Sequence, residues 1–456
     1  MEQITLDFIL NATGGRLTRA CFNCKCTAVS TDTRTIEPGS LFIALRGERF
    51  DGNAYLETAF EKGASVALAE QPYPGFPVVL VDDAYVALRA LAAAYRRRFS
   101  MPVVGVTGSV GKTSTKEMIF SVLSQAFRTR KNEGNLNNLI GMPMSVFGLE
   151  RTHEAAVFEM GMSAFGEISA LSQVAAPDIG VITNIGISHI EMLGSQENIL
   201  KAKLEILDGM RPGGKLILNG DDPLLAGVQT DKAEVITYGI ENAGCAYTAD
   251  AVESDAEGTA FLLRYPGGSI AARLPVAGKH NVYNALAAFA VGRALCMAPE
   301  DMIAGFLQYA PTGYRQKIER VGGVTFIEDC YNASPDSMRS AFDVLRTVQK
   351  TGRRLAVLAD MLELGDTAPE AHRAVGRAAV ENGVDVLFSY GENARYYQEG
   401  YTQAGGAQGA HFTDKAALTD ALCRMLREGD AVLFKGSRGM RLEEIIQTAG
   451  ERWTSR

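Results

Sequence analysis

The stretch PVVGVTGSVGKTSTKEMIFSVLSQAF, residues 102–127, decides how the chain is read. PVVGVT has the near-continuous apolar character of a buried strand, and KTSTKEMIFSVLSQAF is a helix pattern that gathers Met118, Ile119, Val122 and Leu123 on one side. Between them lies a glycine-rich turn, which is the setting a phosphate loop requires. Gly108 and Gly111 let the backbone approach phosphate oxygens, and the amides of Ser109 and of the helix start point at them. Lys112 reaches the β and γ phosphates, Thr113 can hold magnesium, and Ser114 continues the first turn. The strict G-x4-G-K-T form is not met, because Val106 stands where the first glycine belongs and Gly105 lies one residue early. A purely structural tight turn is the alternative, but it has no need of Lys112 followed by Thr113. ATP is the expected ligand.

The same alternation continues outward. AAVFEM and DIGVITNI read as strands, and SQENILKAKLEILDGM reads as a helix that Ser195 can cap and that Gly213 and Gly214 follow. Strands alternating with helices mean a parallel sheet covered by helices. A second series starts near residue 312, with strands VTFIED, RRLAVLAD, DVLFSYG and DAVLFKGS and helices such as PEAHRAVGRAAVENG between them. Before the quoted stretch, short strand-like runs are broken by EPGS and PYPGFP. They lead into DDAYVALRALAAAYRRRF, a helix with Val86, Leu88, Leu91 and Tyr95 on its apolar side and a basic last turn suited to the helix dipole. Pro102 disfavours helix at Met101 and marks a boundary. The expected fold is α/β in three domains: 1–98, a small α/β domain; 99–311, a central phosphate-loop domain with a parallel sheet; and 312–456, a Rossmann-like domain.

Composition agrees with several folded domains. At about 150 residues per domain, 456 residues suggest two to four, and the 46% hydrophobic and 21% charged shares are those of a folded soluble chain. With 45 Lys and Arg against 53 Asp and Glu the formal charge is −8, which argues against broad binding to nucleic acid or anionic membrane. The start, MEQITLDFILNATGG, lacks the basic region of a secretory signal, and no uncharged apolar run reaches the roughly 18 residues of a membrane span. A cytoplasmic protein without nucleic-acid or membrane partners is expected. Cys21, Cys24 and Cys26 have no second Cys or His pair at zinc-finger spacing, so they read as reduced cysteines in or near a strand, and no disulfide framework is expected.

Three further residues stand where chemistry is possible. Glu159, ending the strand AAVFEM, is placed to give magnesium a hard oxygen ligand. His189 follows another strand end and is a further metal candidate, although a histidine in such a place is more often a structural hydrogen-bonder. Lys203, on an amphipathic helix, reads by itself as a solvated charge.

Taken together the motifs resemble the Mur ligase family, ATP-dependent amide-forming enzymes that build the peptide of bacterial peptidoglycan, and the likeness runs along nearly the whole chain. GVTGSVGKTST looks like the family's nucleotide loop, which needs no earlier glycine. FEMGM carries Glu159 as the magnesium carboxylate, TNIGISHIEMLGS carries His189 as the magnesium-linked histidine, and KAKLEIL places Lys203 at the carbamylated lysine. GKHNVYNALAA carries His280, Asn281 and Asn284 of the nucleotide-base motif. GYRQKIE with Arg315 and IEDCYNASPDSM with Asp329 and Tyr331 resemble segments that reach back onto ATP.

STDTRTIEPGSLFIALRGERFDGNAY, NLNNLIGMP, LADMLELG and FKGSRGMRLEEI resemble the branch that adds D-alanyl-D-alanine to a UDP-N-acetylmuramoyl-tripeptide; the tripeptide-forming relatives share the first segment, which identifies the UDP-sugar side only, but their D-N-P-[RA] motif is absent. The resemblance implies that Ser30, Asp32, Arg34, Arg46 and Asp51, with Asn135 and Asn138, belong to substrate binding. It implies that 1–98 holds the UDP-muramoyl peptide, 99–311 holds ATP with Mg2+, and 312–456 holds the dipeptide. It makes Lys112, His189 and Lys203 catalytic, with Thr113, Glu159, His189 and Lys203 around the metal. A monomer is expected, with Pro311-Thr312-Gly313 as the hinge for closure. Two rivals share the loop: a ligase acting on folate or another acceptor, and a nucleotide-driven switch that hydrolyses ATP without a carboxylate or an amine.

Overall fold

The computed structural model describes residues 1–455 apart from 22, 23, 256 and 349. The chain forms three larger sheets in sequence order. The first has five strands in the order Arg16–Leu17, Val78–Leu80, Ala64–Ala69, Ser40–Ile43, Ala28–Ser30, parallel except for the first pair. A small antiparallel pair, Ile4–Thr5 with Lys25–Cys26, lies beside it.

The second sheet has nine strands. Val103–Thr107 lies between Ala155–Glu159 and Ile179–Ile182, with Thr129–Lys131 outside the former and Lys215–Asn219 and Glu234–Gly239 beyond the latter, all parallel. Strand order therefore reverses direction at Val103–Thr107, and the crevice at the carboxyl end of such a strand is where open α/β sheets take ligands. The sheet continues through Tyr247–Asp255, Gly258–Tyr265 and Gly268–Leu274 as an antiparallel meander that the sequence reading missed. A register shift between Asp250 and Glu253 interrupts the two-residue alternation there and hides the strand pattern. Helix Lys112–Leu123 buries Met118, Ile119, Val122 and Leu123 as expected, packing against helices Lys279–Ala294 and Pro299–Leu307. Ser195 caps helix Gln196–Leu204 by accepting from the Asn198 amide.

The third sheet runs Lys317–Val321, Val324–Glu328, Ala431–Lys435, Arg354–Ala359, Val386–Tyr390, Gly409–Phe412, with only the first pair antiparallel. Its four inner strands are those read from sequence. The two edge strands, which bury little, were not.

Helix Ala84–Arg96 corrects one reading. Leu88, Leu91 and Tyr95 are buried, but Val86 is 53% exposed, because the apolar stripe runs through Ala84, Ala87, Leu88, Leu91, Ala92 and Tyr95 and leaves Val86 beside it. The basic last turn is not all solvated. Arg96 is fully buried and donates to the carbonyls of Ala175, Phe99 and Met101 at 2.8, 2.7 and 3.3 Å. Around this helix a single apolar core joins Leu41 and Leu68 of the first sheet to Phe158 and Ile182 of the second. The third unit has its own two core layers, one on each face of its sheet. Cys21 and Cys24 stand close together, their Cα atoms 5.8 Å apart, a separation that a disulfide can span. Cys26 remains a free thiol, buried in its strand and pushed up to about 12 by that burial.

Candidate active site

A cavity of about 1170 Å³ opens at the carboxyl end of Val103–Thr107 and is walled by all three units. Its floor is the glycine-rich turn. Gly108 has φ +149°, and a β-carbon there would collide with Thr183 Oγ1; Gly111, at φ +84°, is the N-cap of helix Lys112–Leu123. Both positions need glycine for backbone reasons. The segment after Ile179–Ile182 clamps the turn: Ser109 N donates to Asn184 O (3.1 Å), Val110 N to Asn184 Oδ1 (2.9 Å), and Thr183 Oγ1 and Asn184 Nδ2 to Val110 O (2.6 and 3.0 Å). The first-turn amides of the helix have no intrahelical partners and face the cavity that Lys112, Thr113 and Ser114 line.

Lys112 folds over its own loop, Nζ donating to Gly108 O at 2.8 Å and Ser109 O at 3.3 Å. Burial lowers its pKa, against the pull of Glu159. Thr113 Oγ1 is the meeting point of the site. It donates to Glu159 Oε2 at 2.7 Å and accepts from an Arg315 nitrogen at 2.8 Å, Arg315 coming from the third unit. Glu159 is buried and its other oxygen accepts from Asn137 Nδ2 at 2.7 Å, while Asn132 bonds both the amide and the carbonyl of Glu159.

The oxygens of Glu159 and Thr113, side by side, are the hard ligands magnesium prefers, and among the described residues no three acidic, Cys or His side chains cluster closely enough to hold a metal alone. That donor set fits Mg2+, which commonly takes one or two carboxylates and completes its shell with substrate phosphates and water. His189, at φ +62°, pairs through Nδ1 with Glu363 Oε2 of the third unit at 2.7 Å, and this hydrogen bond holds the Glu363 carboxyl below its usual value. Lys203 is 2% exposed, so the solvated-charge reading is corrected. Burial first, and the nearby Lys112 second, push its pKa well down, and no carboxylate pairs with it among the described residues.

The other wall is built at the join with the third unit. Arg315 stacks on the Tyr331 ring at 3.6 Å, and Asp329 accepts from Lys435 Nζ at 2.6 Å. Gln316, next to Arg315, has φ +52°. Its Oε1 lies 2.8 Å from Asn281 Nδ2 and 3.0 Å from His280 Nε2, its Nε2 donates to Ala277 O at 2.6 Å, and its amide donates to Asp329 Oδ1 at 3.2 Å. Asn284 accepts from Thr115 Oγ1 at 2.8 Å, tying this helix to the loop helix. Burial lowers the His280 pKa.

The structure thus brings Ser109, Gly111, Lys112, Thr113, Ser114, Glu159, His189, His280, Asn284, Arg315, Asp329 and Tyr331 to one cavity, with Asn138 at its wall. Asn281 and Lys203 stand behind the lining. Asn138 Oδ1 caps the next helix by accepting from the Gly141 amide at 2.8 Å, and Asn135 is exposed outside the lining. Ser30, Asp32, Arg34, Arg46 and Asp51 follow the carboxyl ends of two adjacent parallel strands, apart from the cavity lining. There Arg34 forks onto Asp32, Nη2 to Oδ2 at 2.6 Å, and holds that carboxyl at about 2, while Ser30 Oγ donates to Asp32 O at 2.8 Å. Arg46 sits 3.9 Å from Asp51. Sequence reasoning passed over Asn137, Asn184, Gln316, Glu363 and Lys435. All five lay inside motifs already quoted, so their position in those motifs was the available signal.

Comparison with known proteins agrees with this geometry. The sequence matches the models described as Mur ligase family, catalytic domain over residues 25–96, Mur ligase middle domain over 106–292, and Mur ligase, glutamate ligase domain over 315–438. It is 43% identical over 425 residues, 92% of each chain, to the UDP-N-acetylmuramoyl-tripeptide--D-alanyl-D-alanine ligase of Bacillus subtilis. It is 35% identical to the Escherichia coli ligase of the same name over the whole of both chains. A crystal structure of MurF from Acinetobacter baumannii superposes with TM-score 0.93 at 32% identity over 99% of both chains, and that of Thermotoga maritima MurF ligase in complex with ADP with TM-score 0.85 at 26% identity, over 94% of this chain and 98% of that one. A further Acinetobacter structure, at TM-score 0.89 and 32% identity over 99% of both chains, is named a UDP-N-acetylmuramoylalanyl-D-glutamyl-2,6-diaminopimelate--D-alanyl-D-alanyl ligase. A phosphate loop, its carboxylate and an arginine from a separate unit meeting at one hydroxyl, together with likeness along the full length, place this chain in the Mur ligase family.

Proposed function

We propose that this chain is the ATP-dependent ligase that joins D-alanyl-D-alanine to a UDP-N-acetylmuramoyl-tripeptide, giving the pentapeptide precursor of peptidoglycan with release of ADP and phosphate. The observation that carries the reading is the convergence of Lys112, Glu159 and Arg315 on and around Thr113 at the mouth of one cavity shared by three units.

Joining a carboxylate to an amine in water is uphill, so the carboxylate must first become a better acyl donor. Phosphoryl transfer from ATP to the peptide carboxylate makes an acyl phosphate; the dipeptide's neutral amine then adds to its carbonyl, and phosphate leaves from the tetrahedral oxyanion. The protein's work is placement and charge balance. Lys112, released from its loop carbonyls, turns to the transferred phosphoryl oxygens, and the helix amides hold the oxygens behind them. Arg315 approaches the same oxygens from the third unit. Magnesium, when bound through Thr113, Glu159 and His189, supplies charge neutralisation between phosphate and carboxylate oxygens.

Lys203 in a buried, carboxylate-free place is poorly suited to remain a cation; as its carbamate it would offer the metal an anion. His280, Asn281 and Asn284 hold the base side of the nucleotide, with Asp329 and Tyr331 completing its wall. Ser30, Asp32, Arg34 and Arg46, with Asn135 and Asn138 nearer the loop, serve the UDP-muramoyl peptide, and 312–456 receives the dipeptide. The protein acts in the cytoplasm as a monomer, without membrane or nucleic-acid partners; among the described residues no helix is long and apolar enough to cross a membrane.

The test is phosphate release with UDP-muramoyl-tripeptide and D-alanyl-D-alanine added separately and together. Release that needs both supports the ligase. Release that ignores both favours a nucleotide-driven switch.

A further inference from the structure

Four long cationic side chains line the cavity, and three of them are spent on bonds within the protein. Lys112 bonds its loop carbonyls, Arg315 bonds Thr113 and covers Tyr331, and Lys435 pairs with Asp329. Arg89 lines the same cavity, half-buried, yet among the described residues it has neither an acidic partner nor a hydrogen bond. It projects from helix Ala84–Arg96, whose buried stripe and Arg96 anchor fix it in the core shared by the first two units. A guanidinium on a rigid element, open to a partly dry cavity, is a ready partner for a planar anion.

The same helix carries a second residue of the cavity wall. Tyr85, one turn earlier on the same face, also lines the cavity and donates its hydroxyl to Arg46 O at 2.9 Å, next to the loop assigned to the UDP-sugar end. Arg89 is about 6 Å further along the axis, towards the end where Arg96 grips Ala175 of the middle unit. It faces the same cavity as the phosphate-loop residues Lys112 and Thr113, into which the reacting end of the peptide must reach. A muramoyl peptide carries carboxylates besides the one that is activated. A glutamyl residue in peptide linkage keeps one free, and a diaminopimelate side chain adds another beside its ammonium, whereas lysine adds the ammonium alone.

We propose that Arg89 is a substrate-binding residue that pairs with a non-reacting carboxylate of the muramoyl peptide. This deepens the ligase reading and rests on it. The test uses the full-length enzyme and the variants Arg89→Met and Arg89→Lys. Steady-state kinetics are measured with UDP-muramoyl-tripeptides ending in diaminopimelate or lysine, and calorimetry follows binding of UDP-N-acetylglucosamine, which has neither the peptide nor the lactyl carboxylate. Arg89→Met is expected to raise KM for tripeptide about tenfold or more, with kcat and the KM for ATP unchanged, and Arg89→Lys to recover part of the loss. A loss confined to the diaminopimelate peptide identifies the side-chain carboxylate, and a loss with both identifies the glutamyl carboxylate. Unchanged KM for both peptides overturns the proposal, as does equally weakened binding of UDP-N-acetylglucosamine, which would put Arg89 on the diphosphate. Failure of the wild-type enzyme to form product from either peptide would instead overturn the ligase reading.

Discussion

The two junctions between the three units are made of opposite materials. Between the first and second units, helix Ala84–Arg96 presses Leu88 and Leu91 into an apolar core continuous with both sheets, and Arg96 spends its donors on buried carbonyls. Between the second and third units hydrogen bonds and ion pairs carry the join, with only Ile187 packing on the third unit's core: Arg315 to Thr113, Glu363 to His189, and Gln316 to His280, Asn281 and Ala277. Separating the first junction would expose apolar surface and buried carbonyls. Separating the second exchanges hydrogen bonds for water, at a net of only about 0.5–1.5 kcal/mol each. Gly313, in the linker, has φ +62° and open space around it. The lesson is that the first two units act as one rigid platform, and the active site is placed at the junction that is cheap to remake.

The largest effect should come from breaking the rigid junction. Arg96→Ala leaves three buried carbonyls without their donor and should lower unfolding stability by about 3–5 kcal/mol in chemical denaturation. A loss below about 1 kcal/mol would mean the platform is not held there. On the polar junction the balance should invert. Arg315→Ala is expected to reduce kcat about a hundredfold or more while leaving the denaturation midpoint of the enzyme nearly unchanged. A fall in stability comparable to that of Arg96→Ala would erase the contrast between the junctions.

A smaller effect is expected at Gln316. Gln316→Ala removes the amide that joins His280, Asn281 and Ala277, and should weaken ATP binding or turnover by about tenfold. Small-angle scattering should show a larger radius of gyration than wild type without substrates; an unchanged radius would show that the clasp does not hold the third unit. The smallest effect is one of pH. His372, buried in the third unit, accepts the Met361 amide at Nε2 (3.1 Å) and lies 2.6 Å from Ala368 O through Nδ1, so the folded ring is neutral, and burial lowers its pKa below 6.5. The unfolded chain then binds the extra proton first, and stability is lost as pH falls from the unfolded value near 6.5 towards the depressed folded one. The midpoint for the third unit should fall between pH 7 and pH 5, with a shallower slope in His372→Gln. An identical slope in the variant would assign the pH dependence to other groups.

What could be read from sequence was what is local. The loop from Gly108 to Ser114 is one strand–turn–helix, so Lys112 and Thr113 announce themselves by spacing. Glu159 was legible because it ends a strand that the fold sets beside the loop. Gln316 was not, because its meaning lies in a helix of another unit, and Glu363 likewise needs His189, which only the folded chain brings near. In NLNNLIGMP the run of asparagines has no periodicity to rank its members, and Asn137, between the two selected, is the one that holds Glu159. Arg96 was read only as part of a basic last turn suited to the helix dipole, because burial by the neighbouring unit leaves no trace in the local sequence.

The central claim is that this cavity passes a phosphoryl group to the peptide's carboxylate before the amide forms. Tripeptide labelled with oxygen-18 in its terminal carboxylate, turned over with ATP and D-alanyl-D-alanine, should release inorganic phosphate carrying one labelled oxygen, seen by mass spectrometry. Unlabelled phosphate alongside the expected pentapeptide would contradict it.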